Sequence, residues 1–108
     1  MIAFLGMYDM PHARTANDAL WRNIRDNLGE GPSDLTRDGD PWDIWQSPDL
    51  LLAQTCGLPY RARLHDTVQL IGPPDSGLDG CPPGDYNRVI DVRSVDPARA
   101  LQDLAHRP

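Results

Sequence analysis

With 108 residues the chain forms one domain at most, and a domain of this size buries proportionally less surface than a larger one, so its core is expected to be modest. Hydrophobic residues make up 40% and charged residues 24%, a globular balance, and no apolar run approaches the roughly 20 residues of a membrane span. The net charge of -6, with no lysine and nearly all the acid as aspartate, provides no basic patch and speaks against nucleic acid as a partner.

The opening Met1-Ile2-Ala3-Phe4-Leu5-Gly6-Met7-Tyr8 has neither a basic leading region nor a small-residue cleavage site. It reads as a first strand over Ile2 to Met7 and not as a secretion signal, so the chain as written is expected to stay in the cytoplasm. Asp9-Met10-Pro11-His12 breaks the strand. Thr15 then suits a helix N-cap with Asp18 in a near capping box, and Ala16, Leu20, Ile24 and Leu28 share one face at helical spacing. Gly29 and Gly31-Pro32 end that helix, and Trp21 widens its buried stripe. Leu35-Thr36-Arg37 is a short, weak strand. Asp40 caps a brief helix with Pro41 at its first position. On that helix Trp42 and Trp45 sit three apart, a spacing that fills core more often than it stacks on a ligand.

The stretch Asp49-Leu50-Leu51-Leu52-Ala53-Gln54-Thr55-Cys56-Gly57-Leu58-Pro59-Tyr60 is an apolar run that breaks into small polar residues and then a proline-led helix start. Leu50 to Gln54 fits a central strand buried on both faces. With Pro59 at the first helical position, the free N–H groups of the next turn, the helix dipole and the Thr55 hydroxyl converge on one spot suited to phosphate, phosphonate or carboxylate. Many parallel strands end in such a turn and bind nothing, so the motif invites a site without proving one. A helix from about Leu58 to His65 and a further buried strand, Val68-Gln69-Leu70-Ile71-Gly72, follow. Strands alternating with helices predict an α/β fold: a mostly parallel sheet with right-handed crossovers and helices on both faces. Ligands in such sheets lie outside the carboxyl ends of the strands, which puts the Tyr8, Thr55 and Pro73 neighbourhoods on one rim.

Residues 73–85 are long, without periodicity and rich in turn formers, which marks a functional or mobile loop. Tyr86 to Arg93 reads as a strand, and Asp96 as the cap of a helix that starts at Pro97 and buries Leu101 and Leu104. Cys56 and Cys81 follow neighbouring strands on the same rim and are expected to come within disulfide reach, although a reducing cytoplasm would keep them as thiols. Their spacing does not suit zinc, and His12, His65 and His106 are scattered, so neither a metal nor a cofactor is expected. Cys56 stands just before a helix N-terminus with Arg61 and Arg63 nearby, a setting that favours thiolate. With His65 or His12 as base this gives the alternative of a thiol-dependent enzyme. No nucleophile elbow or Cys-x-x-Cys motif supports it, and no catalytic residue is assigned.

Three groups of residues together carry a family resemblance: Met7-Tyr8-Asp9 after the opening strand, Gln54-Thr55-Cys56-Gly57-Leu58-Pro59-Tyr60, and Ile71-Gly72-Pro73 followed by Gly80-Cys81-Pro82-Pro83-Gly84 and Tyr86. The chain resembles the phosphate/phosphite/phosphonate substrate-binding proteins of ABC transporters, which have a class II periplasmic binding protein-like fold of two α/β lobes closing over an oxyanion. The resemblance implies that residues 1–85 are a first-lobe α/β portion and 86–108 a hinge strand with the start of a second lobe, as in an N-terminal fragment. It implies a solute-binding component for phosphonate- or phosphate-like oxyanions, with ligand contacts from Tyr8, Gln54, Thr55, Cys56, Gly57 and Tyr60, and a transporter permease as partner. The family's aromatic near Ser76 and serine near Arg88 are not matched here. The family is periplasmic, in contrast to the cytoplasmic location expected from the opening residues as written. A third reading is an interaction module, in which apolar surface left by the incomplete lobe pairs with another copy or a partner protein.

Overall fold

The computed structural model describes residues 1–85 and 93–105. The chain divides into two compact units, Met1–Leu70 and Ile71–Pro108. The first unit is mixed α/β. Strand β1 (Ile2–Phe4) leads through two 3-10 turns, Gly6–Tyr8 and Pro11–Ala13, into helix α1 (Arg14–Leu28). Helix α2 (Pro41–Trp45), strand β2 (Leu50–Ala53) and helix α3 (Gly57–Pro59) follow, and α3 runs directly into a π-helical turn, Tyr60–Leu64.

The two strands pair in parallel, Ile2 opposite Leu50 and Phe4 opposite Ala53, with a register irregularity between Ile2 and Ala3. Alternation along β1 sends its side chains to two different cores. Ala3 and Leu5 join Trp21 of α1 and Leu35, with Ile24, Leu51 and Leu52 packed around them. Phe4 joins Ile44 and Trp45 of α2 and Leu64 of the π-helical turn. Helical structure therefore covers both faces of the sheet, as expected from the alternating pattern. The sheet itself is smaller than expected, because the described residues form only two strands.

Several local signals hold. Asp40 caps α2, its carboxylate accepting the Trp42 N–H at 2.8 Å, with Pro41 at the first position. Gly29 ends α1 in the left-handed conformation (φ 77°), and its N–H returns to the Arg25 carbonyl at 2.8 Å. Trp21 is 1% exposed and its Nε1 donates to the Pro32 carbonyl at 3.0 Å, which satisfies the one polar atom its burial would otherwise strand. Trp45 does the same with the Gln54 carbonyl at 3.0 Å. Phe4 and Trp42 both meet Trp45 edge-on.

Other expectations are corrected. Helix α1 begins at Arg14 behind Ala13, so Thr15 lies inside the helix and does not cap it. Its buried arc is centred on Trp21, with Ile24 half-buried, while Ala16, Leu20 and Leu28 are exposed. A bulky indole that must reach the Pro32 carbonyl fixes the helix rotation more firmly than the smaller side chains one position away. Leu35-Thr36-Arg37 is not a strand, although the Thr36 N–H donates to the Ala3 carbonyl at 2.8 Å and lies along β1. Val68 to Gly72 forms no strand either. Val68 packs on the second core, but Leu70 and Ile71 are exposed, so strand propensity alone does not make a strand here.

In the second unit, Asp75 Oδ1 accepts the N–H groups of Gly77 and Gly84, at 3.0 and 3.4 Å, and gathers the proline- and glycine-rich loop. The strand expected over 86–93 lies almost wholly outside the described residues, and with it the hinge. The helix expected from Pro97 is instead a 3-10 turn, Leu101–Leu104. Asp96 accepts the Ala98 N–H at 2.8 Å, and Asp103 accepts those of Arg99 and Ala100, so local carboxylate bonds hold an extended approach where helix was expected.

Gly31 is a backbone position tightly set by this packing. Its φ is 132°, and a Cβ there would lie 2.9 Å from Trp21 Cζ2. Gly31→Ala is expected to cost about 1–3 kcal/mol in urea unfolding, from the clash and the strained backbone together. Gly29→Ala, where a Cβ meets nothing within 4 Å, should cost only the left-handed penalty of about 1 kcal/mol. A chain ending at Leu70 retains both core clusters and all three tryptophans. It should unfold cooperatively by tryptophan fluorescence; a gradual, non-cooperative loss of signal would show that the first unit does not fold alone.

Candidate functional site

Parallel pairing puts the exits of β1 and β2 side by side. The last rung is the Gln54 N–H donating to the Phe4 carbonyl at 2.9 Å, and the Gln54 carbonyl is taken by Trp45. The backbone of Gln54 is thus committed to scaffolding, and its half-buried side chain starts the turn. Thr55 follows. Its Oγ1 is buried and has no hydrogen-bond partner among the described residues. Buried hydroxyls are rarely left unpaired, so this oxygen is a polar position the fold itself does not satisfy.

Cys56 is the residue before α3, extended at φ -109° and ψ 175°, with its thiol exposed and free. Gly57 and Leu58 are the first two helical residues, so their N–H groups have no intrahelical acceptor. Pro59 falls at the third helical position and not the first. An N–H is dispensable there too, because the first four helical N–H groups lack partners in the helix. The Tyr60 N–H reaches the Cys56 carbonyl at 3.3 Å, and the His65 N–H reaches the Tyr60 carbonyl at 2.9 Å in the π-type step. Tyr60 is half-buried against the second core.

Arg61 gives the turn its charge. A Cβ built on Gly57 would lie 3.8 Å from Arg61 Nη2, so the guanidinium folds back beside the helix start. Among the described residues it makes no ion pair. A cation at a helix N-terminus adds to the positive end of the dipole where a carboxylate would normally offset it. Arg63, two residues on, stacks over the Trp42 ring, its Cζ 4.9 Å from the centroid.

The structure brings Gln54, Thr55, Cys56 and Gly57 into one turn, with Tyr60 anchored in the core beneath the helix that follows. Tyr8 ends the 3-10 turn after β1 and is 58% exposed. Arg61 entered the sequence reading only as a neighbour of Cys56; its fold-back onto Gly57 depends on the helical phase from residue 57, one turn of i to i+4. No hydrogen bond or ion pair joins Cys56 to His12 or His65, and His65 Nδ1 lies 2.8 Å from Asp66. Cys56 and Cys81 are both free thiols. Among the described residues no helix is long and apolar enough to cross a membrane.

A second constellation stands after Tyr8. The Asp9 carboxylate accepts Arg37 Nε at 2.6 Å and Nη2 at 3.3 Å, and Asn17 Nδ2 at 2.9 Å, with Arg14 at 3.7 Å. Arg37 Nη2 also reaches Asp18 at 2.7 Å. The Arg37 and Asn17 hydrogen bonds hold the Asp9 carboxyl below its ordinary value, and Asp9 and Asp18 raise the guanidinium of Arg37 in turn. This network ties the exit of β1 to the first turns of α1 and to the segment beside β1. Every charge in it is paired, which marks it as a brace for the rim.

No family model, curated protein or solved structure matches this chain.

The brace predicts a pH signature. A depressed carboxyl means the unfolded chain binds more protons than the folded one as acid is added, so the stability Asp9 contributes is complete above its ordinary value of 3.8 and is lost as pH falls through the lower folded value. Arg37→Ala should cost about 1–2 kcal/mol at pH 7, between a surface pair and a charged hydrogen bond. The difference between wild type and variant, followed by urea midpoints, should shrink below pH 3.8. A constant difference down to pH 2 would show that Arg37 acts through packing alone.

Proposed function

We propose that the chain binds a small phosphorus oxyanion of the phosphate or phosphonate type at the turn from Thr55 to Arg61, as the solute-binding component of an ABC-type transporter. The observation that carries this reading is the Arg61 guanidinium lying beside Gly57 and making no ion pair among the described residues. The Thr55 hydroxyl, without a partner among the described residues, and the N–H groups of Gly57 and Leu58, without an acceptor in their helix, stand in the same turn. Together they supply a hydroxyl, two backbone donors and a fork of charged donors, a set that matches a tetrahedral oxyanion better than a neutral ligand.

In this reading Tyr8, from the adjacent strand exit, closes the rim; Gln54 and Tyr60 hold the turn to the core; and Cys56 contributes its backbone. The architecture this reading implies is the first-lobe portion of a class II periplasmic binding protein-like fold, with a permease as partner. The turn contacts one side of the anion and leaves the other to water, where hydrogen bonds are worth less than in a closed, dry site. Affinity in the millimolar range, about -4 kcal/mol, is expected.

Titrating inorganic phosphate and methylphosphonate while following backbone amide shifts tests the reading. Perturbations should centre on residues 54–61. Arg61→Ala should weaken binding about tenfold, the scale of one charged hydrogen bond, with the tryptophan fluorescence of the fold unchanged. Shifts centred elsewhere, or an Arg61→Ala variant that binds as well as wild type, would overturn it.

A further inference from the structure

We draw no further inference here: the strongest candidate, the edge of β2 left unpaired among the described residues together with the exposed Leu70 segment after the π-helical turn, is an apolar surface for which nothing in the structure shows what covers it.

Discussion

The parallel pairing of β1 with β2 is the constraint on which the first unit depends. Two short strands hold little energy on their own, since an isolated pair is marginal in water. Their value lies in what the pairing sorts. Alternation along β1 and into Leu5 sends Ala3 and Leu5 toward Trp21 and sends Phe4 toward Trp45 and Leu64, so one short segment feeds both cores. Each core then recruits an indole whose N–H is paid back by a backbone carbonyl, Pro32 for Trp21 and Gln54 for Trp45. The second of these bonds returns to the last rung of the sheet. Pairing, core and turn geometry are therefore one mechanical unit, and the turn after Gln54 inherits its position from it.

The parts of this arrangement legible in the sequence are those decided within a few residues. Asp40 before Pro41 sets a helix start because the carboxylate and the ring act on adjacent backbone groups, and Gly29 sets a helix end because only the left-handed conformation closes it cheaply. The apolar run at Leu50 and the small residues after it announced the strand and the turn. What was not legible needed distant partners. The rotation of α1 depends on a carbonyl 11 residues beyond Trp21, and the brace on Asp9 depends on an arginine 28 residues away. No periodicity carries such information. The Val68 segment shows the same limit: its composition suits a strand, but a strand exists only where an edge receives it.

Electrostatics decides whether an anion can approach an acidic chain at all. A net charge of -6 opposes it in the mean, yet at physiological salt charges more than about 8 Å away are largely screened, so the sum over the molecule matters less than the nearest groups. Near the turn the balance is different from the whole. The Arg37 charge is consumed by Asp9 and Asp18, and Arg14 leans on Asp9, so the rim beside Tyr8 is internally neutralised. Arg61 has no such partner among the described residues and stands where the helix start already carries a positive end. One arginine thus holds the rim, while another stands beside N–H groups that have no acceptor within their helix. An anion held at the proposed site would meet donors at contact distance, so its binding should weaken with added salt much less steeply than attraction to a diffuse basic surface would.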